Sequence, residues 1–354
     1  MLLRSMVIIM KIKIAIADNE IAYINKLFSV FERKENVSVS MFTETESLKK
    51  ALNNQNYDIL IINPELDSDT LNYKKATVVV FLSDNSSSTF NVSCQDYSVV
   101  LKYQQISKIF NEIINIYSEI VPTSGMDGRS TIAKIIPVYS PAGGTGKTTV
   151  ALSVAEMLVN RGYKVLYINF EMISSYGTYL PQNNGRNFGD IISKMGVGFN
   201  WKLKIESIIQ TTQKGIMYFE EFKNIFDVYE ISAADAEMLV NGIASAGVCD
   251  YLIIDMDNDL SAVNRKIMSI SDIVVAVAAA SETASYKFNK FLEHFDIIVE
   301  NTDKLNIVCN FGKQPDNAIS AYPVIANIPQ INSGFKNVID YINKNSLINI
   351  ENLM

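Results

Sequence analysis

The sequence predicts two α/β domains in tandem, each built on a doubly wound parallel sheet. Three observations lead there. Short apolar runs rich in Val and Ile alternate with helical stretches along the chain, the pattern of repeated βαβ units. A segment dense in Pro, Gly, Ser and Thr, "VPTSGMDGRST" at 121–131, interrupts that alternation once. The second series then opens on a glycine-rich turn set between a strand and a helix, the setting of a phosphate loop. The expected division is a first domain at 1–120, a linker at 121–131 and a second domain at 132–354, and a length of 354 residues suits two domains.

In the first domain "IKIAIA" (12–17), "VSVSMF" (37–42), "YDILII" (57–62), "TVVVFL" (77–82) and "YSVVL" (97–101) are the expected strands. Helices are expected over "IAYINKLFSVFER", over "TESLKKALNN" with Thr45 as its cap, and over 105–120. Residues 84–96 are polar and carry no helical stripe. In the second domain the strands fall in 132–140, 163–170, 215–221, 251–257, 272–280, 306–311 and 324–329. Their nearly continuous apolar character suits strands covered on both faces. The C-terminal "FKNVIDYINKNSLINIENLM" lacks a dense basic face and reads as a structural helix rather than a membrane-surface one. Trp201 reads as a packing or interface residue.

Composition narrows the function. Hydrophobic residues make up 48% and charged residues 19%, enough for full cores. The net charge of −7 argues against a broad basic surface, so stable nucleic-acid binding is not expected. Cys94, Cys249 and Cys309 are scattered and His294 is the sole histidine, which gives neither a disulfide framework nor a zinc site. A cytoplasmic location follows as the expectation. The N-terminal "MLLRSMVIIMK" reads as an extended start rather than a targeting signal, and no apolar run reaches 18 residues.

The turn is "YSPAGGTGKTT" (139–149), followed by a one-sided apolar helix that ends at Gly162. Gly143, Gly144 and Gly146 allow the backbone to curl with its N–H groups turned inward on phosphate oxygens, and the new helix adds the positive end of its dipole. Thr145 and Thr149 complete the cradle. Lys147 supplies a point charge for the β- and γ-phosphates, and the Thr148 hydroxyl is a ligand for Mg²⁺. The expected cofactors are ATP or ADP with Mg²⁺.

Pro141 breaks the strict GxxxxGK[ST] pattern, and "AGGTGKTT" instead resembles the "KGGxGKT" loop of the MinD/ParA family. The resemblance covers roughly 132–335. It implies that "DYLIIDMD" ends on the Mg²⁺-associated aspartate, Asp255. It implies that "VLYINFEM" is the switch segment, with Asn169 and Glu171 at two acidic positions. "NIVCNF" then ends on the adenine-reading asparagine, Asn310, and "NIP" places Pro329 near the base. Lys147, Glu171 and Asp255 are the implied catalytic residues. Two departures stand out: Ala142 replaces the lysine that reaches a partner subunit's nucleotide, and Asn–Glu replaces Asp–Asp in the switch. Binding should survive both, with slow turnover or none.

Residues 10–120 resemble a response-regulator receiver domain. "AIADNE" gives Asp18 and Asn19 as its acidic pair, Ser83 stands at the hydroxyl position and Lys102 at the lysine position. The phosphorylated aspartate is replaced by Asn63, and an amide cannot form the acyl phosphate. The implied role is a docking or dimerisation module, its fourth helix short or missing. A receiver followed by a MinD/ParA-like ATPase is similar to the layout of the TadZ/CpaE proteins. That resemblance implies an ATP-binding, weakly hydrolysing positioning protein for a type IVb (Flp/Tad) pilus machine. It implies a homodimer, partners in the pilus and secretion machinery including its secretion ATPase, and a place at the inner face of the membrane or the cell pole, reached through those partners. The competing readings are a nucleotide-locked scaffold, a ParA-like DNA partitioner, an NtrC-like regulator, for which no DNA-binding tail is found, and an iron–sulfur carrier, for which paired cysteines are missing.

Overall fold

The computed structural model describes the chain except for residues 1–10, 35–36, 85–91, 95, 122–131, 183–186, 193–194, 196–199, 223, 225 and 313–320. The extended start and nearly all of the expected linker therefore lie outside the described residues, as does most of the segment expected to lack a fourth helix. The chain divides into two compact units. One takes Met1–Ser124 together with Gly198–Ser207, and the other takes Gly125–Val197 and Ile208–Met354.

The first unit holds β1 (Ile12–Ala17), β2 (Val37–Phe42), β3 (Tyr57–Ile62), β4 (Ala76–Ser83) and β5 (Ser98–Leu101), all parallel in the order β2-β1-β3-β4-β5. This is the flavodoxin-like order. The helices α1 (Ile21–Phe31) and α3 (Ile106–Ile120) cover one face, where Ile24, Leu27, Phe31, Ile109 and Ile113 meet Ile14, Ile16, Ile59 and Val80. On the other face α2 (Thr45–Asn54) lays Leu48 and Leu52 on Ala15, Leu60 and Phe81. Thr45 does not cap α2. The cap position is Glu44, and Thr45 Oγ1 instead donates to the Leu66 carbonyl at 3.1 Å.

A helix from far along the sequence, Trp201–Ile208, completes this unit. Leu203 packs on the α1–α3 core, and the Lys204 ammonium, 1% exposed, donates to Asn115 Oδ1 on α3. Nothing in local periodicity assigns a helix to a sheet formed a hundred residues earlier.

The second unit carries eight strands in the order β13-β12-β11-β6-β10-β7-β9-β8. They are β6 (Lys134–Tyr139), β7 (Val165–Asn169), β8 (Gln210–Thr211), β9 (Met217–Tyr218), β10 (Tyr251–Asp255), β11 (Val274–Ala279), β12 (Leu305–Asn310) and β13 (Val324–Ile328). All pairings are parallel except β8 with β9, a short edge hairpin that takes only two residues of the run expected at 215–221. The helix α4 (Lys147–Asn160) follows β6 and is buried from Val150 to Leu158. The sheet packs against α4, and so does the C-terminal helix Phe335–Lys344, whose buried residues Ile339 and Ile342 join the same core. The C-terminal helix is thus structural, as its sequence suggests. No helix among the described residues is long and apolar enough to cross a membrane.

Lys204→Ala should lower the stability of the first unit by about 1–3 kcal/mol, because it removes a charged donor from an interior hydrogen bond. Hydrogen exchange should accelerate in α3 and stay unchanged in β10; equal exchange in α3 would detach this helix from the first unit.

Candidate functional site

The site forms at the C-terminal edge of the second sheet, where an open α/β sheet binds ligands. Strand β6 ends at Tyr139, and the loop 140–146 turns the chain into α4. Gly144 (φ +70°) and Gly146 (φ +86°) take the left-handed conformation that favours glycine. A Cβ at Gly146 would lie 2.4 Å from Asn310 Nδ2, so the tight approach of β12 to the loop also requires glycine. The loop is braced from within: Thr145 Oγ1 donates to the Ala142 carbonyl at 3.4 Å, and Asn310 Nδ2 donates to the Thr145 carbonyl at 2.8 Å. Ala142 is buried against Ala279 and Ala284, so its side chain faces its own subunit.

Parallel register brings the acidic groups to this loop. Asp255 ends β10 directly opposite Asn169, which ends β7, with Val138 of β6 on its other side. Asp255 is fully buried. Its Oδ2 accepts from the Tyr167 hydroxyl at 2.9 Å and from Asn169 Nδ2 at 3.2 Å. Its Oδ1 has no hydrogen-bond partner in good geometry, and the Thr148 side chain lies against the carboxylate. Glu171 is held at Oε2 by Asn169 Nδ2 (3.3 Å), and its Oε1 lies 3.8 Å from the Lys147 ammonium. Burial, then the Glu171 charge, push the Asp255 carboxyl up to about 7, against the nearby Thr148 hydroxyl, the Tyr167 hydrogen bond and the Lys147 charge. Burial likewise raises Glu171, with Asp257 adding to it and Asn169 and Lys147 opposing.

The first unit's corresponding pocket is closed on itself. Lys102, 3% exposed, pairs with Asp18 Oδ2 at 2.9 Å and Glu20 Oε1 at 2.7 Å. Burial pulls its ammonium down, but the bonds to Glu20 and Asp18 outweigh that and hold it above the usual lysine value. Asn63 Nδ2 donates to Asp18 Oδ1 (3.3 Å) and Asn19 Oδ1 (3.2 Å), while Asn63 Oδ1 accepts from the Glu65 amide. Asn63 therefore spends its amide inside the acidic pocket.

Residues 10–118 match the family model described as "TadZ-like, receiver domain", and residues 133–307 match that of an "AAA domain". The chain thus joins a segment that matches the TadZ-like receiver model to one that matches the AAA-domain model. Among curated proteins it is similar to the flagellum site-determining protein YlxH of Helicobacter pylori, 22% identical over 213 residues, covering 60% of this chain and 69% of that protein. Among solved structures a ParA family ATPase from Chlorobium tepidum TLS aligns at TM-score 0.50 and 15% identity, covering 63% of this chain and 97% of that one. The likeness extends to the fold. MinD of Pyrococcus horikoshii OT3, solved with Mg-ADP, aligns at TM-score 0.46 and 16% identity over 62% of this chain and 88% of that one.

In the second unit Lys147, Thr148, Glu171 and Asp255 lie close together at the head of α4. Asn310 reaches the loop, but it braces the Thr145 carbonyl, and its Oδ1 accepts from the Phe311 amide at 2.9 Å. Pro329 is exposed, its Cα 3.8 Å from where a Cβ on Gly312 would stand. Gly143 and Gly144 are exposed on the loop, and Thr149 lies in the first turn of α4. Two residues escaped sequence reasoning. Tyr167 sits among apolar strand residues and reads as core. Phe311, 40% exposed, takes φ +65° and sets its ring edge beside Gly146. An aromatic directly after the strand-terminal Asn310 was the available signal.

Two outcomes are expected. The Asp255 carboxyl titrates higher folded than unfolded, so the native state holds the extra proton between about pH 4 and 7. Stability of the ligand-free protein should fall as pH rises through that window, and Asp255→Asn should flatten the fall in thermal scans. Incubation with acetyl phosphate should add no phosphoryl mass to the first unit.

Proposed function

We propose that this protein binds ATP or ADP with Mg²⁺ and acts as a nucleotide-dependent positioning protein in the assembly of a type IVb (Flp/Tad) pilus machine. One observation carries the nucleotide reading: Lys147, Thr148, Glu171 and the half-satisfied carboxylate of Asp255 converge behind a loop with two left-handed glycines. The donor set fits magnesium. A single free carboxylate oxygen beside a hydroxyl suits an ion that keeps several waters and shares phosphate oxygens. Among the described residues no group of three or more His, Cys, Asp or Glu side chains is arranged to hold a metal, so a zinc-like cage is not the alternative.

Thr148 and Asp255 would hold Mg²⁺, which when bound neutralises charge across the β- and γ-phosphates. The loop amides and the α4 N-terminus would cradle the phosphates. Lys147 would move from the edge of Glu171 onto the β- and γ-oxygens. Glu171, freed of that ammonium, would accept a hydrogen bond from the attacking water. Asn310, Phe311 and Pro329 would line the base end, with the Phe311 ring available for stacking.

The positioning role is supported by the TadZ-like receiver model and by the site-determining relative. The expected assembly is a homodimer that engages pilus and secretion proteins, including a secretion ATPase, at the cytoplasmic face of the membrane or the cell pole, without stable DNA binding. A second reading, a nucleotide-locked scaffold, is favoured by the switch pair. Asn169 carries no charge, and the longer side chain of Glu171 displaces its carboxylate by about an ångström, to which hydrolysis is sensitive.

Steady-state phosphate release from ATP and Mg²⁺, with Lys147→Ala as the blank, separates the readings. Slow turnover above the blank is expected, with Lys147→Ala losing at least about tenfold in nucleotide affinity. Binding without turnover would establish the scaffold, and absence of binding would end the nucleotide reading.

A further inference from the structure

We propose that Asn169 is a positioning residue that allows Asp255 and Glu171 to serve one nucleotide site, and that an aspartate at this position would impair the site. The inference rests on the nucleotide reading above.

The orientation of the Asn169 amide is fixed by chemistry. Its Oδ1 accepts from the Glu171 backbone N–H at 2.9 Å, and a backbone N–H can only donate. Its NH₂ group must therefore face the two carboxylates, Asp255 Oδ2 at 3.2 Å and Glu171 Oε2 at 3.3 Å. One amide thus bridges a buried acid at the end of β10 and a half-buried acid just beyond the end of β7. The nearest cation, Lys147, stands 3.8 Å from Glu171. Two carboxylates facing one ammonium in a desolvated pocket repel each other, and the bridging N–H groups supply the missing positive potential.

The same bridge sets the rotation of Asp255. Tyr167 and Asn169 both engage Oδ2, which leaves Oδ1 as the oxygen without a partner. Replacing the amide by a carboxylate keeps the shape and reverses the interaction: an oxygen would face two oxygens. Glu171 would swing out or a proton would be taken up, and either change removes the arrangement that presents Oδ1. Asn169 is on this account not a decayed acidic residue, and restoring the acid should do harm.

The test uses the full-length protein and a fluorescent N-methylanthraniloyl ATP, titrated in Mg²⁺ and again in EDTA. Asn169→Asp should weaken binding at least about tenfold in Mg²⁺ and less in EDTA. Asn169→Asp with Glu171→Gln restores one carboxylate and one amide to the pair. Its affinity in Mg²⁺ should recover at least about threefold over Asn169→Asp, the rest of the loss reflecting the carboxylate that still faces Asp255. A purely steric role for Asn169 would give no such recovery. Asn169→Asp binding as tightly as the parent, or a double variant no better than Asn169→Asp, would overturn the proposal. If the parent protein binds no nucleotide, the nucleotide reading falls by itself, and thermal unfolding of the ligand-free proteins decides this one. A midpoint lowered by about 4 °C or more in Asn169→Asp and recovered in the double variant supports the bridge. An unchanged midpoint, or loss of folding that the second substitution does not repair, overturns it.

Discussion

A carboxylate with no solvent contact must be held by its neighbours, and the second unit is arranged around that constraint at Asp255. The parallel sheet supplies the holders. Register between β7 and β10 sets Asn169 opposite Asp255, and the Phe170 amide donates to the Asp255 carbonyl, fixing the two strand ends together. Tyr167, two residues before Asn169, points to the same face of β7 because side chains alternate along a strand. From the other side, β6 leads through the glycine loop to Lys147 and Thr148 at the head of α4. Burial of α4 against the sheet and the C-terminal helix then anchors those two residues to the core.

The two units solve one electrostatic problem in opposite ways. Each places a lysine, two acidic side chains and an asparagine at the C-terminal edge of a parallel sheet. In the first, Lys102 lies within 2.9 Å of both Asp18 and Glu20, and Tyr23 and Tyr103 offer their rings at 4.8 and 5.6 Å. Every charge there has a close partner of opposite sign. In the second, Lys147 is 3.8 Å from Glu171 and Asp255 keeps an unbonded oxygen. Burial, only partly offset by pairing, leaves Asp255 and Glu171 harder to ionise, and a cation bound there would relieve that cost. A closed network stabilises a scaffold, whereas an open one stores free energy for a ligand.

What the sequence made legible follows from range. Strands buried on both faces announce themselves as apolar runs, and all five of the first unit fall within a residue of expectation. The glycine loop is equally local, since turn, strand and helix are contiguous. Asp255 and Glu171 could be placed only through resemblance, because nothing local brings 171 to 255. Tyr167 was hidden because a tyrosine in an apolar strand carries the same pattern whether its hydroxyl is idle or holds a carboxylate. Thr45 had the side chain of a cap, but Glu44 precedes the helix and the Leu66 carbonyl offers Thr45 a better acceptor. The helix Trp201–Ile208 was not assigned from the sequence, where Trp201 read only as a packing or interface residue, and its membership of the first unit depends on a long-range contact that periodicity does not encode.

Ala142 shows how a substitution can be read too simply. At this position the MinD/ParA loop resemblance implies a lysine directed to a neighbouring subunit, and its loss removes the charge that would close a dimer across paired nucleotides. Yet the Ala142 methyl is enclosed by Ala279, at the end of β11, and Ala284, in the helix that follows. Three small side chains let the loop settle on its own sheet, and a lysine there would have to displace it at a cost of about 1–3 kcal/mol. Residue 142 therefore contributes to holding the loop in shape, and any association between two copies would receive no charge from it. Such an association would have to draw on other exposed groups, such as Ile173, 77% exposed, four residues beyond the end of β7, and Leu260, 37% exposed, five residues beyond the end of β10. Contacts through apolar groups depend on buried area and shape rather than on the γ-phosphate's charge. Nucleotide would then influence pairing through the conformation of the segments after Glu171 and Asp255, rather than by bridging two subunits with a salt link.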